Sequence, residues 1–245
     1  MKRLEGKVAL IAGAGRGIGR AAAKHLAAEG AKVAVLSLTP ANIAAVVADI
    51  EAAGGTAIGV VCDVSDANRI KTAVESVAAA FGGIDVLVNA AFDPSVALSS
   101  VNELTVEQLQ RNFDMGPIAY LRIMQAAHPY LKSSGAGRVI NLGSAAGVLG
   151  MVNYAPYGMA KEAVRALTRV AAREWGVDGI TVNTLMPIAD TFGSDRPPLP
   201  NVFDRNGSPE DDIAPVIVFL ATNDAQFITG SSHTPDGGMT IDAAR

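Results

Sequence analysis

Seven residues near the chain start, Gly13-Ala14-Gly15-Arg16-Gly17-Ile18-Gly19, constrain the fold more than any other stretch. They follow an apolar run, Val8-Ala9-Leu10-Ile11-Ala12, that reads as a buried strand. They open onto residues 20–29, rich in strong helix formers, which Gly30 brings to a stop. A second apolar run, Lys32-Val33-Ala34-Val35-Leu36, comes next. Strand, glycines, helix, strand is the arrangement that holds a dinucleotide pyrophosphate on a helix N-terminus. Backbone without side chains lets the phosphates approach, and the helix dipole favours their charge. For the glycines alone, a tight turn with no ligand is the plainer alternative.

The alternation continues along the chain. Thr39 and Pro40 begin a helix that runs to about Ala53 and stops at Gly54-Gly55. Residues 56–61 form a third strand, Asp66 caps a helix ending near Phe81, and residues 84–88 form a fourth strand. A long helical region, about 106–131, is flawed at Gly116-Pro117. Residues 138–142 and 180–185 read as fifth and sixth strands, separated by a helix over about 154–175. A Pro-rich loop over about 187–209, a helix over about 210–222 and a short last strand near 232–235 complete the chain. This pattern predicts an α/β fold: a Rossmann-like, doubly wound parallel sheet of about seven strands with helices on both faces. Its ligand crevice lies at the carboxyl ends of the strands. With no repeat and no linker-like stretch, residues 1–245 are expected to form a single dinucleotide-binding and catalytic domain.

Composition excludes several classes. Half the residues are hydrophobic (49%) but only 5% aromatic, which suits a parallel sheet buried on both faces. A net charge of −4 gives no basic footprint for nucleic acid. The one cysteine, Cys62, excludes an internal disulfide, fits a reducing compartment and reads as a small buried hydrophobe. Glu5 and Lys7 interrupt the signal-like start Met1-Lys2-Arg3, and no apolar run has membrane-spanning length, so a soluble cytoplasmic protein is expected. His25, His128 and His233 are scattered without metal-ligand spacing, so no metal is expected.

The chemistry concentrates in Ser144, Tyr157 and Lys161. Tyr157 and Lys161 lie four apart in a predicted helix and share one face. A cation there stabilises a phenolate and lowers the tyrosine pKa, which suits proton exchange with a hydroxyl or carbonyl oxygen. Ser144 follows the fifth strand, where its hydroxyl reaches the same oxygen. Taken alone, a Tyr and Lys at this spacing are an ordinary surface pair.

Together these motifs resemble the short-chain dehydrogenase/reductase family, in its short, single-domain branch of 3-oxoacyl-carrier-protein reductase-like members. The similarity covers essentially the whole chain. It is carried by Gly13-x3-Gly17-Ile18-Gly19, Asp63-Val64, Asn89-Ala90, Ser144, Tyr157-Gly158-Met159-Ala160-Lys161 and Pro187. The ending, Phe227-Ile228-Thr229-Gly230 and Asp236-Gly237-Gly238, is similar too. The resemblance implies a carbonyl–alcohol oxidoreductase using NAD(P), with Tyr157 as general acid/base, Lys161 tuning it and holding the nicotinamide ribose, and Ser144 orienting the substrate oxygen. It implies cofactor contacts at Gly13, Gly15, Arg16, Gly17, Ile18, Gly19, Ser37, Asp63, Val64, Asn89, Ala90, Ala91, Pro187 and Thr191. Phe92, Leu149, Tyr154 and Ile188 join Ser144 on the substrate side. It also implies subunit pairing through the long helices, with a homotetramer expected and a dimer next.

The chain departs from the family pattern in four places. Gly116 stands where the family has a relay asparagine; Pro117 beside it lacks an N–H, and a water on the Phe113 carbonyl is the expected substitute. Ala91 replaces a glycine beside the nicotinamide. Ser37 replaces the acid that grips the adenosine ribose of NAD; with Arg16 as a partner for a 2′-phosphate, NADP(H) is expected to be preferred and NAD(H) possible. Ile188 replaces a glycine after Pro187, ahead of a short loop in which Phe192, Leu199, Val202 and Phe203 are expected to make an apolar pocket wall. Two alternatives stay open at this point: a cofactor-binding protein with weak or no redox activity, and a non-redox lyase on the same scaffold.

Overall fold

The structure is a computed structural model and describes residues 2–93, 95, 98–191 and 199–241. Seven strands make one all-parallel sheet in the order β3-β2-β1-β4-β5-β6-β7. In chain order they are β1 (Val8–Ala12), β2 (Lys32–Ser37), β3 (Thr56–Val61), β4 (Val86–Asn89), β5 (Arg138–Leu142), β6 (Thr181–Leu185) and β7 (Ser232–His233). The order turns back between β1 and β4, which opens a crevice above the carboxyl ends of those two strands.

The helices are α1 (Gly17–Ala28), α2 (Pro40–Ala52), α3 (Ala67–Phe81), α4 (Val106–Phe113), α5 (Ala119–Ser133), α6 (Ala145–Leu149), α7 (Ala155–Trp175) and α8 (Ala214–Ala221). They cover both faces of the sheet, and the alternation along β1 shows how. Val8, Leu10 and Ala12 join the core under α3, α5 and α7, while Ala9 and Ile11 join the core under α1 and α8. A strand buried on both sides must be apolar at every position, which is why it reads as a continuous run. Among the described residues, no helix is long and apolar enough to cross a membrane.

Several boundaries have identifiable causes. Asp66 caps α3 by accepting from the Asn68 and Arg69 N–H groups at 2.8 and 3.2 Å, whereas Thr39 caps α2 by position without a side-chain hydrogen bond. The helix expected over 106–131 is instead α4, a wide π turn over Asp114–Ile118, and α5. Pro117 has no N–H for the i−4 carbonyl, so the chain widens; Gly116 takes φ −109° and ψ −106°, and the Ala119 N–H reaches Asp114. In a π turn each carbonyl meets the N–H five residues on, which for Phe113 is Ile118. That corrects the expectation of a bare Phe113 carbonyl awaiting water. The helix expected over 210–222 is likewise a π turn, Pro209–Ile213, followed by α8.

Candidate active site

The glycine loop is built from the ends of β1 and β2. The Gly13 and Ala14 N–H groups donate to the Leu36 carbonyl at 2.8 and 3.1 Å, which pins the loop over the sheet edge. Gly13 and Gly17 need their glycine, with φ of +85° and +53°. A Cβ on Gly13 would stand 2.5 Å from the Ala91 nitrogen. The first turn of α1 carries no acidic residue, so nothing competes with an anion for its unpaired N–H groups. A Cβ on Gly17 would project into the gap between the loop and the Thr191 methyl, 3.4 Å away. These features fit a pyrophosphate: bare amides at a helix N-terminus, a gap kept open by glycine, and no carboxylate.

A cleft of about 720 Å³ runs from this loop across the strand ends. Six of its walls come from the loop itself: Gly13, Gly15, Arg16, Gly17, Ile18 and Gly19. Ser37 ends β2, Asp63 and Val64 follow β3, and Ala90, Ala91 and Phe92 follow β4; all of them line the cleft. Tyr157, Lys161, Pro187 and Thr191 complete its lining, with Thr191 beside the loop at Gly17. A volume of this size accommodates a dinucleotide, with a substrate at one end. Ser65 holds the Asp63 carboxylate through its N–H and hydroxyl at 2.9 and 2.7 Å, which keeps that carboxyl ionised below its usual range.

Other expected residues stand behind the cleft wall. Asn89 is fully buried and donates to the Asn141 side chain at 2.8 Å, bracing β4 against β5 at the register where the two residues pair. Ile188 engages its backbone with Pro235 and Gly207, and its neighbour Ala189 faces the cleft. Leu149 ends α6, behind the cleft lining. Val202 and Phe203 are each 68% exposed and lie away from the cleft, which corrects the expected apolar wall. Leu199 also lies outside the lining, and Phe192 falls outside the described residues. The wall beside Tyr157 is aromatic instead. The Phe92 ring meets the Tyr157 ring edge-on at 4.9 Å and the Tyr154 ring does so at 6.1 Å.

Ser144 caps α6 by accepting from the Ala146 N–H at 3.1 Å, which fixes its side chain between β5 and α7. Lys161 is 4% exposed. Its Nζ donates to the Leu142 carbonyl at 2.7 Å and to the Tyr120 hydroxyl at 3.4 Å, and it stands 5.7 Å from the Tyr157 ring centre. Burial pushes the Lys161 ammonium down to about 7. Burial also raises the Tyr157 phenol above its ordinary value, and the Ser144 hydroxyl opposes this only partly. Burial thus outweighs the expected lowering of Tyr157 by Lys161, and the same burial disfavours the Lys161 charge that would produce it.

Sequence reasoning missed Tyr120, Asp93, Arg111 and Asp114. Arg111 pairs with Asp93 at 2.8 Å across the cleft mouth, and their separation of 18 positions left no local signal. Asp114 and Tyr120 sat inside what read as a helix flawed only at Gly116-Pro117.

Comparison with known proteins agrees with this geometry. A family model described as enoyl-(acyl carrier protein) reductase matches residues 13–240. The chain is 36% identical to the short-chain reductase protein NovJ of Streptomyces niveus, over 94% of this chain and 93% of that one. It is 35% identical to a 2,5-dichloro-2,5-cyclohexadiene-1,4-diol dehydrogenase of Sphingobium indicum, over 98% of both. The crystal structure of a dehydrogenase/reductase from Sinorhizobium meliloti superposes with a TM-score of 0.89 at 35% identity, covering 97% of this chain and 96% of that one.

Proposed function

The chain belongs to the short-chain dehydrogenase/reductase family and is an NAD(P)-dependent oxidoreductase of the carbonyl–alcohol couple; we propose that Tyr157 is its general acid/base. The observation that carries this reading is the placement of Tyr157 and Lys161 in the same cleft as the glycine loop, with Ser144 against the phenol. Bound nicotinamide would supply the hydride in reduction and take it in oxidation. Gly13 to Gly19 would hold the pyrophosphate, and Thr191 and Pro187 would flank the nicotinamide end.

In reduction, Tyr157 gives its phenolic proton to the substrate oxygen. Burial suits that role by keeping the phenol protonated at neutral pH. Ser144 donates its hydroxyl hydrogen to the same oxygen and keeps it in reach of Tyr157. The phenolate left behind is stabilised by Ser144 and by Lys161 in its ammonium form. Phe92 and Tyr154 exclude water from the proton donor and favour an apolar body on the substrate. A cyclic or branched ketone, or the matching secondary alcohol, suits that wall, in keeping with the ring substrate in the Sphingobium relative's name. A screen of such ketones, read by NADPH consumption, tests this. Tyr157→Phe is expected to lower kcat by about 10²–10⁴ with cofactor affinity retained. A variant as fast as the native enzyme would reject the assignment.

For the cofactor, the reading favours NADP(H). The end of β2 carries Ser37 and no acid, and Arg16 lies across the same end of the cleft. The enzyme acts as a single domain, since every element packs on one sheet. It assembles as a homotetramer through α5 and α7, a reading supported by a groove of about 270 Å³ between them where Leu121, Val170 and Trp175 stand beside Gln125, His128 and Glu174. A reducing cytoplasm suits the single cysteine, Cys62, which is buried.

A further inference from the structure

Lys161 is buried, and one of its two hydrogen-bond partners has no role in the reading above. Tyr120 rises from the second residue of α5 and is fully buried. Its hydroxyl donates to the Ala91 carbonyl at 3.2 Å and accepts from Lys161 Nζ at 3.4 Å. Its ring lies under the ammonium, with its centre 5.3 Å from Nζ. An ammonium has three hydrogens. Leu142 takes one, Tyr120 takes another, and the third is left for the cleft.

Tyr120 follows the π turn that holds Gly116 and Pro117. Gly116 brings no side chain there, and the nearest atom to a Cβ built on it is the Ala160 methyl at 3.7 Å, so the Tyr120 phenol does not fill the space of a side chain at 116.

We propose that Tyr120 is a positioning residue for Lys161: its hydroxyl holds one ammonium hydrogen, aims the amine at the cleft and favours its charged form. The proposal rests on Lys161 belonging to the active site. Burial keeps the Tyr120 phenol neutral, with its pKa pushed far above the ordinary range, so it acts as a dipole and not as an anion. Tyr157 from α7 and Tyr120 from α5 are the titratable groups whose rings face Lys161. The carboxylates that share the cleft are engaged elsewhere: Asp63 with Ser65, Asp93 with Arg111 and Asp114 with Gln110.

The test is Tyr120→Phe, which keeps the ring and removes the oxygen. Two readouts are needed. In the cofactor-free protein, the pH dependence of Lys161 acetylation by a small anhydride, read by peptide mass spectrometry, gives its titration midpoint. A hydrogen bond to a charged group is worth about tenfold in a protonation equilibrium, so the midpoint should fall by about one pH unit. In the NADPH-loaded enzyme, the alkaline limb of the ketone-reduction profile should move to lower pH by a similar amount. A midpoint that stays or rises, in a variant whose circular dichroism and NADPH affinity match the native protein, overturns the proposal. Should the native enzyme reduce no ketone, the active-site reading fails while the acetylation midpoint still decides the role of Tyr120. Tyr120→Leu, which removes ring and hydroxyl together, must lower the midpoint as well; a midpoint unchanged there overturns the proposal if the phenylalanine variant does not fold.

Discussion

Gly19→Ala isolates what the third glycine of the loop contributes. Gly19 is the third residue of α1, where alanine would ordinarily gain about 1 kcal/mol in helix propensity. Here the added Cβ would overlap the Gly13 carbonyl oxygen and stand 2.8 Å from its carbon. Both are backbone atoms, so no side chain can swing aside; the helix start and the loop must separate by about half an ångström. Overpacking of this kind costs about 1–3 kcal/mol, and contact with backbone puts it at the upper end. After subtracting the propensity gain, a loss of about 1–2 kcal/mol remains. In a chain of this size that lowers Tm by roughly 2–8 °C. Circular dichroism melts of the cofactor-free protein measure it, and an NADPH titration measures the companion effect, weaker binding as the loop amides leave their positions. Gly54→Ala is the control for backbone strain alone, with φ of +79° and no atom near the new methyl. A Gly19→Ala variant that melts at or above the native temperature and binds NADPH normally would refute the packing argument.

Further expectations concern stability and cofactor choice. Lys161 is depressed from an ordinary 10.5 to about 7 in the folded protein, so the unfolded chain binds the extra proton between those values. Native stability should therefore rise with pH across that window, and Lys161→Met should abolish the rise, melt higher at neutral pH and lose activity. Paired melts at pH 7 and 9 check the sign. Asp66→Ala removes the α3 cap and should cost about 1 kcal/mol, or roughly 2–4 °C in Tm, with kcat unchanged. Ser37→Asp places a carboxylate at the end of β2, where a 2′-phosphate would lie, and should turn the NADPH:NADH affinity ratio towards NADH. A ratio that stays constant would remove Ser37 from the account.

The parallel sheet was legible because its central strands are buried on both faces and cannot hide. Val8 to Ala12 and Arg138 to Leu142 are buried at every position, and the sequence marks both stretches. The glycine loop was legible for the same kind of reason, since its positive φ values and close contacts admit no side chain. Local pattern failed where the chain departs from ideal geometry in answer to proline. The π turn at Asp114–Ile118 relieves the N–H missing at Pro117, where the sequence marked only a flaw, and a helical period reads straight through the second at Pro209–Ile213. Helix α6 escaped notice because five residues carry too little periodicity. In the site, Tyr157 and Lys161 stood out only through the motifs around them, since their spacing alone is that of an ordinary surface pair. Asn89 was assigned by resemblance to support the cofactor and the central strand, and it does brace β4 against β5. Tyr120 was invisible because its partners, Ala91, Leu142 and Lys161, are distant in sequence and meet only through the fold.

The central claim is that the cleft between the glycine loop and Tyr157 binds a nicotinamide dinucleotide, the phosphorylated one more tightly. Titrating the purified protein with NADPH and with NADH, while following nicotinamide fluorescence, tests it most directly. Saturable binding of both, tighter for NADPH and weakened by Arg16→Ala, is the predicted result. Saturation by neither would contradict the account at its base, since Ser144, Tyr157 and Lys161 would then stand beside no hydride donor.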